Sequence, residues 1–599
     1  MRQTSRSTWT WHFDLPPERL WPVLADTNRF NEAMGLPPYQ LEEIPQPNGT
    51  ILRRGRGKAA GFTLEWEEKP YEWIHGRHFR QARVFSKGPF RRFGPVFDIE
   101  PEGDGSRVSY ALEWEPLTIT GRLFGKRLAS QAGAVVEKRI LEAVAFVKGE
   151  RKSFFDIAPP DLPEGARERA ASLAELVDRS PYGNGLGHKL SDFVLTGMAT
   201  DVARLKPKLL ARQLGVAERP AIEACLAGVR AGLLTMKWDL LCTNCRGPKM
   251  SVGALSELPK GAHCPSCNID YDRDFERNIE LSYAPAPAIR PIAEGGFCLS
   301  GPMATPHVLV QQLLAPGERR EVALDLPPGA YRLRTLHPGG HVDIDHRSGA
   351  FPGLRATATG VETLPPSSSG TVAFVNDTDF ELALLIEDRT WTREALTAPE
   401  VISLQAFRDL FSAATLRPGD EAGVSQVALL FSDLRGSTAL YERVGDAQAF
   451  NIVREHFAFL ASIIRDNDGA VVKTIGDAVM ASFGDPAHAV KAALAMQARI
   501  AEFNESQGTA AGEELVIKLG IHVGPSVVVN MNDRLDYFGS TVNMAARLQG
   551  QSDGGDIVIS RTVADDPAVK PMLASIPSRE ESVALKGFAV PIGFVRVLP

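Results

Sequence analysis

The chain has 599 residues, 44% hydrophobic and 23% charged, with a formal net charge of −7. That length predicts about three to five domains. The balance is that of an ordinary globular protein, and the acidic sum excludes a generic nucleic-acid binder, whose footprint is basic. No stretch is long and apolar enough to span a bilayer, and the opening MRQTSRSTWTWHF lacks the apolar run of a signal peptide. A cytoplasmic protein is therefore expected, with neither membrane nor nucleic acid among its partners.

Residues 1–150 alternate strand-like stretches with turns. FTLEW (62–66) and VSYALEW (108–114) have period-two apolar patterning. RLWPVLADTNRFNEAMG (19–35) reads as one short helical segment. A long helical pattern covers about 121–148, with Leu141, Val144, Phe146 and Val147 on its apolar side. An early strand, short helices, an antiparallel sheet and a long last helix resemble the START/polyketide-cyclase (SRPBCC) superfamily. That helix-grip fold implies a pocket for a small hydrophobic ligand. The alternative is that Trp9, Trp11, Trp66 and Trp114 simply fill a core.

Residues 151–240 are helical, broken by PPDLPEG and PYGNGLG. Residues 205–242 read helix, turn, helix, strand, a winged-helix-like order. Their Arg and Lys are scattered, which favours packing against protein over DNA. A zinc ribbon is expected over 241–279. Cys242, Cys245, Cys264 and Cys267 form CxxC…CxxC with eighteen residues between the pairs, a spacing that closes a tetrahedral thiolate site around Zn²⁺. Four thiolates leave no open position, so the zinc is structural. His263 reads as a surface neighbour, and Cys225 and Cys298 as buried thiols. Residues 280–395 carry short alternating runs between PG and PPG turns and predict a β-sandwich. Within them HPGGHVDIDH (337–346) packs three histidines and two aspartates; a solvated loop is the plainer reading beside a metal or sensor site. This middle of the chain is similar to a region found upstream of some bacterial cyclase domains. Residues 396–424 predict a linker helix, with Ile402, Phe407, Leu410 and Phe411 near helical spacing and a PG stop.

The last segment, 425–599, carries the chemistry. QVALLFSDLRGST (426–438) is a buried-type strand ending on Asp433. A carboxylate there either caps the next helix or holds a divalent cation. GAVVKTIGDAVMASF (469–483) reads strand, Gly476-Asp477 turn, strand, and Asp477 also suits a bare hairpin turn. Lys473, inside an apolar strand, needs a partner. In LDYFGSTVNMAARL (535–548), Asp536 precedes a glycine, and Asn543 and Arg547 lie four apart on one helix face. Two carboxylates suit two metals that clamp a triphosphate, and an arginine suits charge growing on phosphorus. A lysine donor beside an aspartate acceptor complements adenine; guanine presents the reverse pattern. The chain has no G-x-x-x-x-G-K-[ST] loop.

FSDLRGST, KTIGDAVMA and LDYFGSTVNMAAR resemble the motif set of class III adenylate/guanylate cyclases. The resemblance implies a ferredoxin-like α/β core that forms a homodimer with ATP at the interface. It makes Asp433 and Asp477 ligands of two Mg²⁺ or Mn²⁺ ions, and Lys473 and Asp536 the adenine-selecting pair. Asn543 then orients the ribose, Arg547 stabilises the transition state, and Lys586 contacts the triphosphate. One chain would supply Asp433 and Asp477, and its partner Lys473, Asp536, Asn543 and Arg547. The expected whole is a multidomain α+β adenylate cyclase, regulated by its upstream domains, that turns ATP into 3′,5′-cyclic AMP and pyrophosphate. The alternatives are a guanylate cyclase or a catalytically silent nucleotide-binding regulator. The stretch SVVVNMNDR (526–534), shorter than in many relatives, bears on the dimerising arm.

Overall fold

The computed structural model describes the chain except residues 1–3, 37–38, 60–61, 152, 275–276, 294, 296, 299, 367–369, 391–393, 412–421, 509–513, 532–533 and 585–590. Strand Ser5–Phe13 pairs antiparallel with Gly105–Pro116, which pairs with Phe90–Glu102. The sheet continues through shorter strands to the edge strand Leu41–Pro45. The single helix expected over 19–35 is two, Pro17–Leu24 and Thr27–Ala33. Asp26 starts the second by accepting a hydrogen bond from the Arg29 amide at 3.2 Å, the usual work of an aspartate cap. Helix α1 (Ile119–Val147) lies on the sheet through Ala129, Val136, Ile140 and Ala143. Val144 is buried with them and Val147 packs against the same core, as expected, but Leu141 is 49% exposed and lies off the inward face. Small residues let the helix close on the sheet's large rings. Trp66 and Trp114 are buried, while Trp9 and Trp11 are half-buried.

Five helices follow, ending in α2 (Glu218–Ala231), and strand Leu234–Leu241 comes next. Every residue from Ala221 to Gly228 of α2 is buried, so this helix packs against protein rather than presenting a face to a groove. Strand Ile279–Pro285 pairs with Leu234–Leu241 and does not join the β-sandwich as expected; the sandwich strands begin at Val308. One of its sheets holds four strands, from Arg319–Ala323 to Gly360–Leu364. The other runs directly into the N-terminal sheet, because Val310 and Gln311 pair with Ile74 and Trp73. Thirteen strands thus form one sheet, and the first and fourth expected domains share hydrogen bonds and a core.

The second half of the histidine–aspartate run is a strand, while residues 337–341 form the irregular connection expected. Val342–His346 pairs with Gly329–Thr335. Asp343 accepts from Arg332 at 2.8 Å, and that guanidinium lowers its carboxyl pKa. Among the described residues these side chains gather no group of metal ligands. The linker helix is two short helices, α3 (Ala398–Ile402) and α4 (Gln405–Leu410), and its expected stop at 417–420 lies outside the described residues. No described helix is long and apolar enough to cross a membrane.

The strands of the last domain are numbered from β1 (Ala422–Leu434). Helices α5 (Ser437–Val444) and α6 (Asp446–Asp466) follow, then β2 (Gly469–Ile475), β3 (Ala478–Phe483), α7 (Pro486–Ser506) and β4 (Ile517–Met531). After these come β5 (Arg534–Phe538), α8 (Ser540–Gln549), β6 (Ile557–Ser560), β7 (Ser578–Val583) and β8 (Ile592–Val597). The sheet order is β2-β3-β1-β4-β6-β8-β7, with β5 paired to the outer half of β4. Period two splits β1 between two cores. Ala428, Leu430 and Leu434 face α6 and α7, while Val427, Leu429 and Phe431 join the core of the helical region upstream. Burial on both faces explains why this strand reads as an unbroken apolar run.

Candidate active site

Asp433 ends β1 directly opposite Lys518 of β4. It does not cap α5, whose first residue follows Gly436 with no side-chain cap. Its carboxylate takes a hydrogen bond from Gln549 of α8. Burial raises its pKa, Asp477 raises it further, and Lys518 and Gln549 work the other way. Asp477 is the second residue of the tight turn between Ile475 and Ala478, where Gly476 takes φ +64°. That φ suits glycine. Asp477 Oδ2 is buried and finds no hydrogen-bond partner among the described residues. A buried acceptor left unpaired next to a second carboxylate is unfavourable. The pair fits a divalent cation, which would satisfy the orphaned oxygen and relieve the repulsion.

Lys473 finds the partner its strand demanded. Its Nζ donates to Asp536 Oδ2 at 2.6 Å, bridging β2 and β5. Asp536 is only 9% exposed, and its Oδ1 also accepts from the Tyr537 amide at 2.8 Å. The two residues expected to read the base are therefore side by side, one donor and one acceptor.

Helix α8 carries Asn543 and Arg547. It lies on β4 at a point where no side chain intervenes. A Cβ on Gly520 would fall 2.1 Å from the Gln549 amide nitrogen, and one on Gly524 2.9 Å from Thr541 Oγ1. The Thr541 hydroxyl donates to the Pro525 carbonyl and ties down the first turn. Met544, Ala545 and Leu548 are buried beneath the helix. Asn543 is exposed and Arg547 half-buried, both on its outward side. Lys586 lies outside the described residues.

Three side chains beside the acids were not singled out from sequence. Lys518 and Gln549 reach Asp433 as described. His456 of α6 is fully buried, and neither ring nitrogen has a partner among the described residues. Burial pushes its pKa down to about 4, against the pull of Asp477 nearby. Lys518 could have been found by setting β4 in register with β1. A histidine on the apolar face of a helix carries no such signal.

The cysteines form a second centre. The Sγ atoms of Cys242, Cys245, Cys264 and Cys267 lie within 4.8 Å of one another. The Cys245 and Cys264 sulfurs are 3.8 Å apart, matching the edge of about 3.8 Å for a tetrahedron of Zn–S bonds near 2.3 Å. Hydrogen bonds, from Cys242 first, lower the Cys245 and Cys264 pKa values. Strands Gly261–Cys264 and Ile269–Asp272 form the second knuckle, and His263 turns outward to Asp270 at 2.9 Å. Cys225 and Cys298 are buried and separate from this group.

Residues 420–587 match the family model described as the adenylate and guanylate cyclase catalytic domain. Residues 176–296 match a family of unknown function (DUF5939). The chain is 29% identical over 197 residues to adenylate cyclase 1 of Rhizobium meliloti (strain 1021), covering 30% of this chain and 29% of that one. It is 30% identical over 178 residues to the adenylate cyclase of Anabaena cylindrica, covering 28% and 35%. The chain thus spans about a third of the length of these curated relatives. Among solved structures, the adenylyl cyclase CyaB from P. aeruginosa is 27% identical, with 30% of this chain and 96% of that chain covered and a TM-score of 0.28. The guanylyl cyclase Cya2 is 25% identical, with 30% and 92% covered and a TM-score of 0.27.

Proposed function

From a C-terminal domain homologous to the class III nucleotidyl cyclases, we propose that this chain is an adenylate cyclase, forming 3′,5′-cyclic AMP and pyrophosphate from ATP. The observation that carries the choice of base is the Lys473–Asp536 pair at 2.6 Å. An ammonium donates to adenine N1 and a carboxylate accepts from its exocyclic amine. Guanine, with a donor at N1 and an acceptor at C6, would face two mismatches, each leaving a buried polar group unpaired.

The carboxylates of Asp433 and Asp477 would hold two Mg²⁺ or Mn²⁺ ions. When bound, such ions neutralise the triphosphate, make the ribose 3′-hydroxyl a better nucleophile and stabilise the leaving pyrophosphate. Arg547 donates to the non-bridging oxygens as charge builds at the α-phosphorus. Asn543 fixes the ribose so that the 3′-oxygen lies in line with the bond that breaks. Lys586 is assigned to the triphosphate. Asn543 and Arg547 point outward from α8, which suits a site completed by a second copy in a homodimer. Met531 and Phe538, 51% and 69% exposed on the β4–β5 arm, suit the same contact.

The four-cysteine centre is read as structural Zn²⁺, on the sulfur spacing above. Residues 1–150 are read as a START-like sensor for a small hydrophobic ligand. A cavity of about 120 Å³ lined by Phe30, Phe79, Phe97, Tyr110 and Arg83 supports that reading. The protein is placed in the cytoplasm.

The test is cyclic nucleotide production from ATP and GTP with Mg²⁺ and with Mn²⁺. It uses wild type, Asp433→Ala, Arg547→Ala, and the two variants mixed. Cyclic AMP from wild type, almost none from either variant and partial recovery on mixing are expected. Preference for GTP would overturn the base assignment. Absence of recovery on mixing would overturn the shared site.

A further inference from the structure

We propose that the short helix α4 is a strap that holds the base-reading pair shut, so that the region upstream of the catalytic domain gates entry of the nucleotide. This rests on the adenylate cyclase reading of the same site. One face of the catalytic sheet is covered by α6 and α7. The other carries α8 with Arg547, while the end strand β2 and strand β5, paired to β4 alone, hold Lys473 and Asp536. That second face is not left open. A single core runs from Leu226 and Trp238 through Ile402 and Phe407 to Val427, Phe431, Val472, Tyr537 and Ala545. Phe407 of α4 meets Trp238 edge to face, with ring centroids 6.0 Å apart.

Polar contacts from α4 fall on both strands of the base-reading pair. Gln405 Oε1 accepts from the Val471 amide at 2.8 Å, at the bulge where the β2 register slips between Val471 and Lys473. Arg408 Nη1 donates to the Leu535 carbonyl at 2.9 Å, and its guanidinium stands 5.6 Å from the Tyr537 ring centroid. Those two residues flank Asp536. Arg219 of α2 pairs with Asp468, just before β2. To read a base edge, Lys473 and Asp536 have to give up the contact they make with each other at 2.6 Å, and α4 bridges the two strands, β2 and β5, that carry them.

The closed contact is also imperfect. Arg408 Nη2 is buried without a partner among the described residues, and an unmet buried donor weakens the state that contains it. Upstream ties could pull the strap away. Asp409 accepts from the Tyr182 hydroxyl, and Glu400 of α3 pairs with Lys208 at 2.8 Å. A shift of the helical region thus transmits to α4 through named bonds, biasing two states of one element.

The full-length wild type, Gln405→Ala and Arg408→Ala decide the matter. Two readings are taken: hydrogen–deuterium exchange over 469–475 and 534–538, and the rate of cyclic AMP formation. Each variant should speed exchange in both segments and raise kcat/KM for ATP by about three- to tenfold, the shift expected for losing one such bond. Unchanged exchange in both variants would overturn the strap. Faster exchange with unchanged or lower kcat/KM would make α4 a support for the site and overturn the gate. If no protein forms product, the adenylate cyclase reading fails separately. Binding of an N-methylanthraniloyl derivative of ATP then judges the strap: tighter binding by both variants supports it and equal binding overturns it. Gln405→Ala removes two side-chain hydrogen bonds, one to the Val471 amide and one to Asp409 within the same helix, so it stays informative if Arg408→Ala folds poorly.

Discussion

The contact between α8 and β4 makes a sharp prediction. In Gly520→Ala the new Cβ would sit 2.1 Å from the Gln549 nitrogen and 2.4 Å from its Cα, whereas ordinary contact begins near 3.4 Å. Both clashing atoms are backbone, so no rotamer relieves them, and the C-terminal half of α8 must retreat by roughly 1 Å. Arg547 and Gln549 move with it. A misplacement of that size at reacting groups costs about 100-fold in rate, and the overpacking itself about 1–3 kcal/mol of stability. Urea unfolding of the full chain and cyclic AMP formation at saturating ATP measure the two effects. A large fall in kcat with a modest fall in stability is expected. A variant that keeps its rate within twofold would refute the idea that bare backbone contact sets the position of α8.

Lys473→Ala should reduce kcat/KM for ATP by roughly 10- to 100-fold, the loss of a charge-assisted hydrogen bond. An equal fall for GTP would mean that Lys473 does not read the base. Asp433→Asn should be inactive yet more resistant to urea at pH 7 in the absence of divalent cations. Burial and Asp477 raise the Asp433 pKa, so the proton is bound more tightly in the folded chain. The stability tied to that proton is present at low pH and lost as pH rises through the raised value. The advantage of asparagine should therefore vanish below the ordinary aspartate range; an advantage that persists there would contradict the assignment. Cys264→Ser should abolish zinc binding, measured by atomic emission, and lower the melting temperature. A chelator should do the same to wild type and nothing further to the variant, and zinc retained by the variant would refute the four-thiolate centre.

The sequence by itself located the candidate site residues. Asp433, Asp477, Lys473 and Asp536 stand at strand ends, a turn and a strand interior, where apolar patterning and turn residues locate them locally. The need of Lys473 for a partner was legible because a lysine in an apolar run is unfavourable unless paired. The clustering of the four cysteines was legible for a similar reason, since knuckle geometry depends on residues a few positions apart.

Only the tertiary structure decided what long-range pairing controls. Leu141 was placed on the wrong side of α1 because a helix whose inward face is partly small residues carries little amphipathic signal. The merger of the N-terminal sheet with the sandwich rests on two residue pairs more than 230 positions apart, and period-two patterns say nothing about which strand lies alongside which. Lys518, Gln549 and His456 come near the acids only once β4, α8 and α6 are packed. The cover of α4 over the base-reading strands is likewise invisible in a sequence, where the linker shows apolar residues at helical spacing but not the surface they meet.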